Sequence, residues 1–146
     1  MTIVPANDCI EEDWLVLRLA LWPDCARSKA ASELQRILES PREDAFLAID
    51  DSGCALGLAE VSLRDYVDGC TSSPVGYLEG IYAAPDSRRQ GVARQLQEAA
   101  ESWAREKGCT EMGSDCLIDN AESIKFHRAS GFREIERHVV FLKNIR

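Results

Sequence analysis

The chain has 146 residues, 45% of them hydrophobic, with 25 acidic residues against 17 basic and a formal net charge of −8 at pH 7. That length is one domain's worth, 1–146, with enough chain to bury a core without staples, and its apolar runs are too short for a membrane span. A negative balance argues against nucleic acid, which needs a basic face; it suits a cationic substrate drawn to an acidic cleft, or it serves solubility alone.

In chain order, Thr2–Val4 reads as a short strand and Asn7-Asp8 as a cap region. The apolar run Trp14–Leu21 reads as a helix that Pro23 must end. A second helix is predicted from Ser28 to Glu39, closed by Pro41. Strands at 45–49 and 54–63 flank the hairpin signal Asp50-Asp-Ser-Gly53. The stretch from Arg64 to Gly76 is long for a loop in a compact domain and is a candidate binding loop. Then follow a strand Tyr77–Ala83, a helix from Gly91 to Lys107 stopped by Gly108, a strand Thr110–Asp115, a helix Asn120–Ser130 ended by Gly131, and a last strand Arg133–Leu142. A hairpin followed by β-α-β-α-β predicts an α/β fold, a mixed central sheet with helices on both faces.

Six cysteines, at 9, 25, 54, 70, 109 and 116, contain no C-x-x-C pair, and His127 and His138 are not spaced as zinc ligands among them. Reduced thiols and no metal are expected, with Cys70 either reactive in its polar loop or a bystander. The amino terminus has no basic segment leading into an apolar one, so a cytoplasmic location is expected.

The segment 81–93, Ile-Tyr-Ala-Ala-Pro-Asp-Ser-Arg-Arg-Gln-Gly-Val-Ala, runs from a strand end through a polar turn into an amphipathic helix. Gly91 has no Cβ to block a ligand, and the first-turn amides after it lack intrahelical acceptors, so a phosphate group fits there. Arg88, Arg89 and Arg94 add positive charge around the same place, or are simply solvated. No Lys-Ser/Thr follows the glycine and no G-x-G-x-x-G is present, which excludes a Walker loop and a dinucleotide fingerprint. Glu79 stands inside Tyr-Leu-Glu-Gly-Ile-Tyr where an apolar residue is usual; it is a solvated edge position, an arginine's partner, or a functional carboxylate.

Arg88-Arg89-Gln90-Gly91-Val92-Ala93 resembles the R/Q-x-x-G-x-G/A motif of the GNAT acyltransferase superfamily, and Asn120, Ser123, His127 and Gly131-Phe132 resemble its second motif. The resemblance implies a GNAT fold with a splayed strand pair and acetyl-CoA held by Ile81, Tyr82, Ala83, Arg89, Gln90, Gly91, Val92, Ala93, Arg94 and Asn120. Leu-Trp-Pro23, Asp-Tyr-Val-Asp-Gly69, Gly-Ser-Asp115 and Ser-Ile-Lys-Phe-His127 extend it over nearly the whole chain toward the aminoglycoside 6′-N-acetyltransferases. That likeness implies that Trp22, Tyr66, Glu79, Asp115 and Glu136 contact a cationic aminoglycoside, that the enzyme confers antibiotic resistance, and that it is a homodimer.

Direct attack in a ternary complex is the mechanism expected. Asp115, or Glu79 through a water, accepts the ammonium proton, and the N–H of Tyr82 or Ala83 steadies the oxyanion. The family often has a tyrosine to protonate the thiolate where this chain has His127, so His127 is either the replacement acid or a structural side chain. Polyamines, lysines and protein N-termini are alternative acceptors for the same acidic cleft.

Overall fold

Alternating apolar side chains in the middle of the chain build the sheet on which everything else is arranged. The computed structural model describes residues 1–7 and 10–146. Five strands, β1 (Thr2–Pro5), β2 (Glu43–Ile49), β3 (Ala55–Arg64), β4 (Val75–Ala83) and β5 (Met112–Ser114), lie in the order β1-β2-β3-β4-β5. The first three pairings are antiparallel and β4–β5 is parallel. The β2–β3 turn forms where Asp50-Asp-Ser-Gly53 predicts it, because Asp50 Oδ1 accepts from the amides of Ser52 and Cys54 at 2.8 and 2.9 Å.

Helices α1 (Glu11–Leu21) and α2 (Arg27–Glu39) cover one face. Trp14, Leu15, Leu17, Ala30, Leu34 and Ile37 meet Ala45, Leu47 and Leu58 there in one buried cluster. Helix α3 (Val92–Glu106) covers the other face with Val92, Leu96, Ala100, Trp103 and Ala104. A short fourth helix, α4 (Ala121–Ala129), follows β5. The described chain separates into two compact units, Met1–Asp115 and Cys116–Arg146. Among the described residues no helix is long and apolar enough to cross a membrane.

Three expectations need correction or narrowing. The cap of α1 is Ile10, with no side-chain hydrogen bond, rather than Asn7-Asp8; Asp8, like Cys9, lies outside the described residues. Strand β5 keeps only three of the six residues expected at 110–115. The last strand, Arg133–Leu142, does not form: residues 133–146 carry no helix or strand. Its β-forming residues satisfy local propensity, but a strand exists only with a neighbouring edge to bond, and none pairs with it among the described residues. Val139, Val140, Phe141 and Leu142 are each more than three-quarters exposed in consequence.

Candidate active site

The pairing of β3 with β4 slips once, and that slip organises the site. Glu60 faces Gly80 and Val61 faces Leu78, so Glu79 is the extra residue of a bulge. Strict alternation would put Glu79 and Gly80 on opposite faces; the bulge lets both share the α1 side of the sheet with Tyr77 and Tyr82. Glu79 there accepts from Arg64 through both oxygens, at 2.8 and 3.1 Å, and from the Ser62 hydroxyl. The carboxylate that looked misplaced in an apolar strand is half-buried and held by a two-pronged guanidinium.

Tyr77, two residues before it, is buried, and its hydroxyl donates to Asp115 immediately after β5. The Arg64 guanidinium lies 3.5 Å from the Tyr77 ring centroid, so Glu79, Arg64, Tyr77 and Asp115 form one connected polar array. Burial first, and then the bond to Asp115, push the Tyr77 phenol well above its ordinary value, which keeps it a proton donor to that carboxylate. Asp115 itself is exposed.

Trp22 caps the end of α1, half-buried, its amide donating to the Arg18 carbonyl at 2.9 Å. Together with Glu79 it lines a cavity of about 400 Å³ whose wall holds four glutamates, at 33, 43, 60 and 79, against Arg18 and Arg36. With Arg64 on Glu79, the four carboxylates outnumber the guanidiniums that hold them by one, a small bias toward cations.

The other expected residues of the long loop stand differently. Tyr66 is 75% exposed and its hydroxyl donates to Asp68 at 2.9 Å, while Asp65 is paired with Arg42. The loop is anchored by Glu111, whose carboxylate accepts from the amides of Thr71 and Ser72 and from the Ser72 hydroxyl. The Ser72 hydroxyl most of all, then the Ser72 and Thr71 amides, hold the Glu111 carboxyl below its ordinary value of 4.5. A carboxylate depressed in the fold contributes stability that is present above its unfolded pKa and lost as pH falls through the folded one. Glu111→Gln is therefore expected to flatten the loss of thermal stability below pH 4.5, which parallel melts of both proteins from pH 6 to pH 3 will show. Five described cysteines are free thiols, and burial raises the Cys70 thiol, with Glu111 adding to it, which fits a bystander.

On the far side of β4 the ladder stops early. Pairing with β5 covers only Gly76, Tyr77 and Leu78, and the Ser114 hydroxyl closes it by donating to the Leu78 carbonyl at 3.0 Å. Strand β4 runs on to Ala83, so the two strands splay and, among the described residues, no strand pairs with that edge of 79–83. The Ala84 amide bonds Leu56 on β3 at 2.8 Å, and alternation turns the amides of Ala83 and Ile81 the other way, to that edge.

Beyond Ala83 the turn has a backbone shape that can seat an anion. Arg89, at φ 65, and Gly91, at φ 80, both adopt left-handed backbone, and no side chain caps α3. A non-glycine residue held at positive φ is strained, and alternation of such residues turns successive amides toward one point. The first helical hydrogen bond is Gln95 N–H to the Gly91 carbonyl, so the amides of Val92, Ala93 and Arg94 are left for a ligand at the positive end of a 15-residue helix. Gln90 bonds the Asp86 carbonyl and Arg88 the Ala83 carbonyl, which stiffens the turn, and Arg94 pairs with Glu98.

In the second unit, Asn120 caps α4 by accepting from the Ser123 amide at 3.1 Å. His127 Nδ1 lies 2.7 Å from the Ser123 carbonyl, which only a protonated Nδ1 can bond, and 3.3 Å from the Ser123 hydroxyl. Phe126 and Phe132 pack edge-on against its ring. Glu136, expected on the last strand, stands in the irregular segment that replaces it, 4.0 Å from His138.

Arg64, Ser62 and Tyr77 have no motif of their own in the sequence. Cross-strand pairing brings Ser62 opposite Tyr77, so the one signal pointing to them is their place two or fewer residues from Glu79 or from its predicted neighbour strand.

Comparisons with known proteins agree with this geometry. The model of the acetyltransferase (GNAT) family matches residues 8–132. An aminoglycoside N(6′)-acetyltransferase type 1 of Serratia marcescens is 47% identical over 146 residues, 99% of each chain, and one of Acinetobacter genomosp. 13 is 43% identical over the same share. The crystal structure of the aminoglycoside antibiotic 6′-N-acetyltransferase AAC(6′)-IG from Acinetobacter haemolyticus, apo, superposes with a TM-score of 0.94 at 41% identity over the whole of both chains. The structure of AAC(6′)-Iy in complex with a bisubstrate analog, CoA-S-monomethyl-acetylneamine, gives the same TM-score at 41% identity, covering 99% of this chain and 98% of that one. With a splayed β4–β5 pair, an uncapped α3 behind Gly91 and a family match across more than half its length, the chain belongs to the acetyltransferase (GNAT) family.

Proposed function

We propose that this enzyme transfers the acetyl group of acetyl-CoA to the 6′-amino group of aminoglycosides and so confers resistance to them. The observation that carries the reading is the conjunction, on one strand, of an open amide edge ending in an anion-binding turn and a carboxylate array on the adjoining face. Relatives of 40–47% identity that bear that activity in their names support it.

In this reading the pyrophosphate of the coenzyme sits on the amides after Gly91, flanked by Arg89, Gln90 and Arg94, with Asn120 also toward the coenzyme. The thioester lies along Ile81, Tyr82 and Ala83. Of the two oxyanion donors expected, Tyr82 and Ala83, alternation favours the Ala83 amide. The aminoglycoside's ammonium groups are drawn to Glu79, Asp115 and Glu136, with Trp22 and Tyr66 as walls. Asp115 takes the proton of the attacking ammonium; Glu79, occupied by Arg64, holds charge more readily than it relays a proton. The amine attacks the thioester carbon, its second proton passes to solvent as the C–S bond breaks, and His127 gives the departing thiolate a proton that solvent restores.

A homodimer belongs to the same reading, supported by the apolar side chains of residues 139–142 that this chain leaves exposed. Light scattering on the full chain is expected to give twice the 16.2 kDa monomer mass, and a monomer at micromolar concentration would reject it. The activity is tested by thiol release from acetyl-CoA with kanamycin, spermidine and a lysine peptide as acceptors. Turnover with kanamycin alone is expected; preference for spermidine or the peptide would reject the assignment.

A further inference from the structure

Helix α1 carries a buried arginine that the acetyl-transfer reading leaves without a role. Trp14, Arg18 and Trp22 stand four residues apart, on one face of the helix end. Arg18 is 7% exposed and Glu60, on β3, 3%. One terminal nitrogen of Arg18 bonds Glu60 and the other bonds Glu33, while Glu60 also accepts from the Trp14 indole N–H at 3.2 Å. A buried ion pair is a poor stabilising device, because desolvation offsets most of its attraction. The Arg18 Nε, moreover, is buried with no acceptor among the described residues, an added cost.

What this arrangement achieves is visible at Trp22. The Arg18 guanidinium carbon lies 4.8 Å from the centroid of the Trp22 ring, over its face. The six-membered edge of the same ring rests on the β4 backbone: a Cβ added to Gly80 would fall 2.6 Å from Trp22 Cζ2 and 2.7 Å from Cη2. Gly80 is the cross-strand partner of Glu60 and the residue after Glu79 in the bulge. Glu60 thus fixes Arg18, Arg18 fixes the indole face, and Gly80 admits the indole edge beside Glu79.

We propose that Arg18, anchored by Glu60, is a positioning residue that sets the Trp22 indole against Gly80 and thereby shapes the wall on which the acceptor amine approaches Glu79. The proposal rests on the aminoglycoside reading of the site. Two changes test it from opposite ends. Arg18→Met combined with Glu60→Gln removes both charges, keeps the volume and leaves Trp14 an acceptor. Gly80→Ala leaves the ion network whole and drives a methyl group into the indole and into the neighbouring Leu21 side chain.

The double variant is expected to lower kcat/KM for kanamycin about three- to tenfold, the worth of one cation–π contact, and Gly80→Ala, which displaces the indole itself, by about threefold or more. In the same preparations the KM for acetyl-CoA stays within twofold and circular dichroism remains that of the wild type. A merely structural role would lower the melting temperature and move both substrates together. Should the double variant fail to fold, Arg18→Lys, which keeps a cation for Glu60 but loses the planar group over the indole, decides. Folded variants with wild-type kcat/KM for kanamycin, in an assay where the wild type turns over, overturn this proposal alone. A wild type that acetylates no aminoglycoside overturns the reading beneath it.

Discussion

Asp115→Asn is expected to lower kcat for kanamycin acetylation by about 10²-fold or more, within the range that a positioned proton acceptor contributes. The substitution preserves shape and still accepts the Tyr77 hydroxyl, so the array of Tyr77, Arg64 and Glu79 stays in register. What asparagine lacks is basicity. Were Asp115 only an electrostatic contact for one ammonium group, the loss would fall on the acceptor KM, by about tenfold, with kcat intact. Steady-state rates at saturating kanamycin separate the two, and an unchanged kcat removes Asp115 from the proton-transfer role. The KM for acetyl-CoA is expected to stay within twofold in either case, because the anion-binding turn follows β4 at its far end, beyond Ala83.

Gly91→Val is the second large effect, and it acts on the other substrate. Gly91 has φ 80, a left-handed conformation that costs an L-residue about 1–2 kcal/mol and a β-branched one more. A Cβ there meets no atom within 4 Å, so the substitution does not crowd the protein itself. Its cost therefore appears where the turn must present amides to a ligand, either as a turn that relaxes out of shape or as a side chain standing in the phosphate's place. The KM for acetyl-CoA is expected to rise about tenfold or more, with the acceptor KM little changed. Calorimetry with coenzyme A alone checks it without turnover; wild-type affinity in the variant would show that the pyrophosphate does not use this turn.

The contrast between these two positions shows which parts of the site can be read along the chain. The turn at Arg89–Gly91 is a local structure: glycine, missing cap and following helix are neighbours in sequence, and each constrains the next. The hairpin at Asp50–Gly53 and the helix stops at Pro23 and Pro41 are legible for the same reason.

Glu79 is legible only as an anomaly, a carboxylate in an apolar strand. Its cause, a bulge, belongs to the pairing of β3 with β4 and leaves no mark in the order of residues within β4. Arg64, Ser62 and Tyr77 enter the site through that pairing, and Arg18 through the packing of α1 on β3, so none could be found from motif spacing. The strand expected at 133–142 fails in the opposite sense: its residues favour extended chain, yet propensity cannot supply an edge.

The choice of the 6′-amine is tested by comparing kanamycin with its 6′-hydroxyl analogue in the acetyl-CoA reaction and locating the acetyl group by NMR. Transfer to the 6′-amine requires one thiol released per kanamycin consumed, a single amide at the 6′ nitrogen, and no release with the analogue. Equal release from both compounds, or acetylation at another amine, contradicts it.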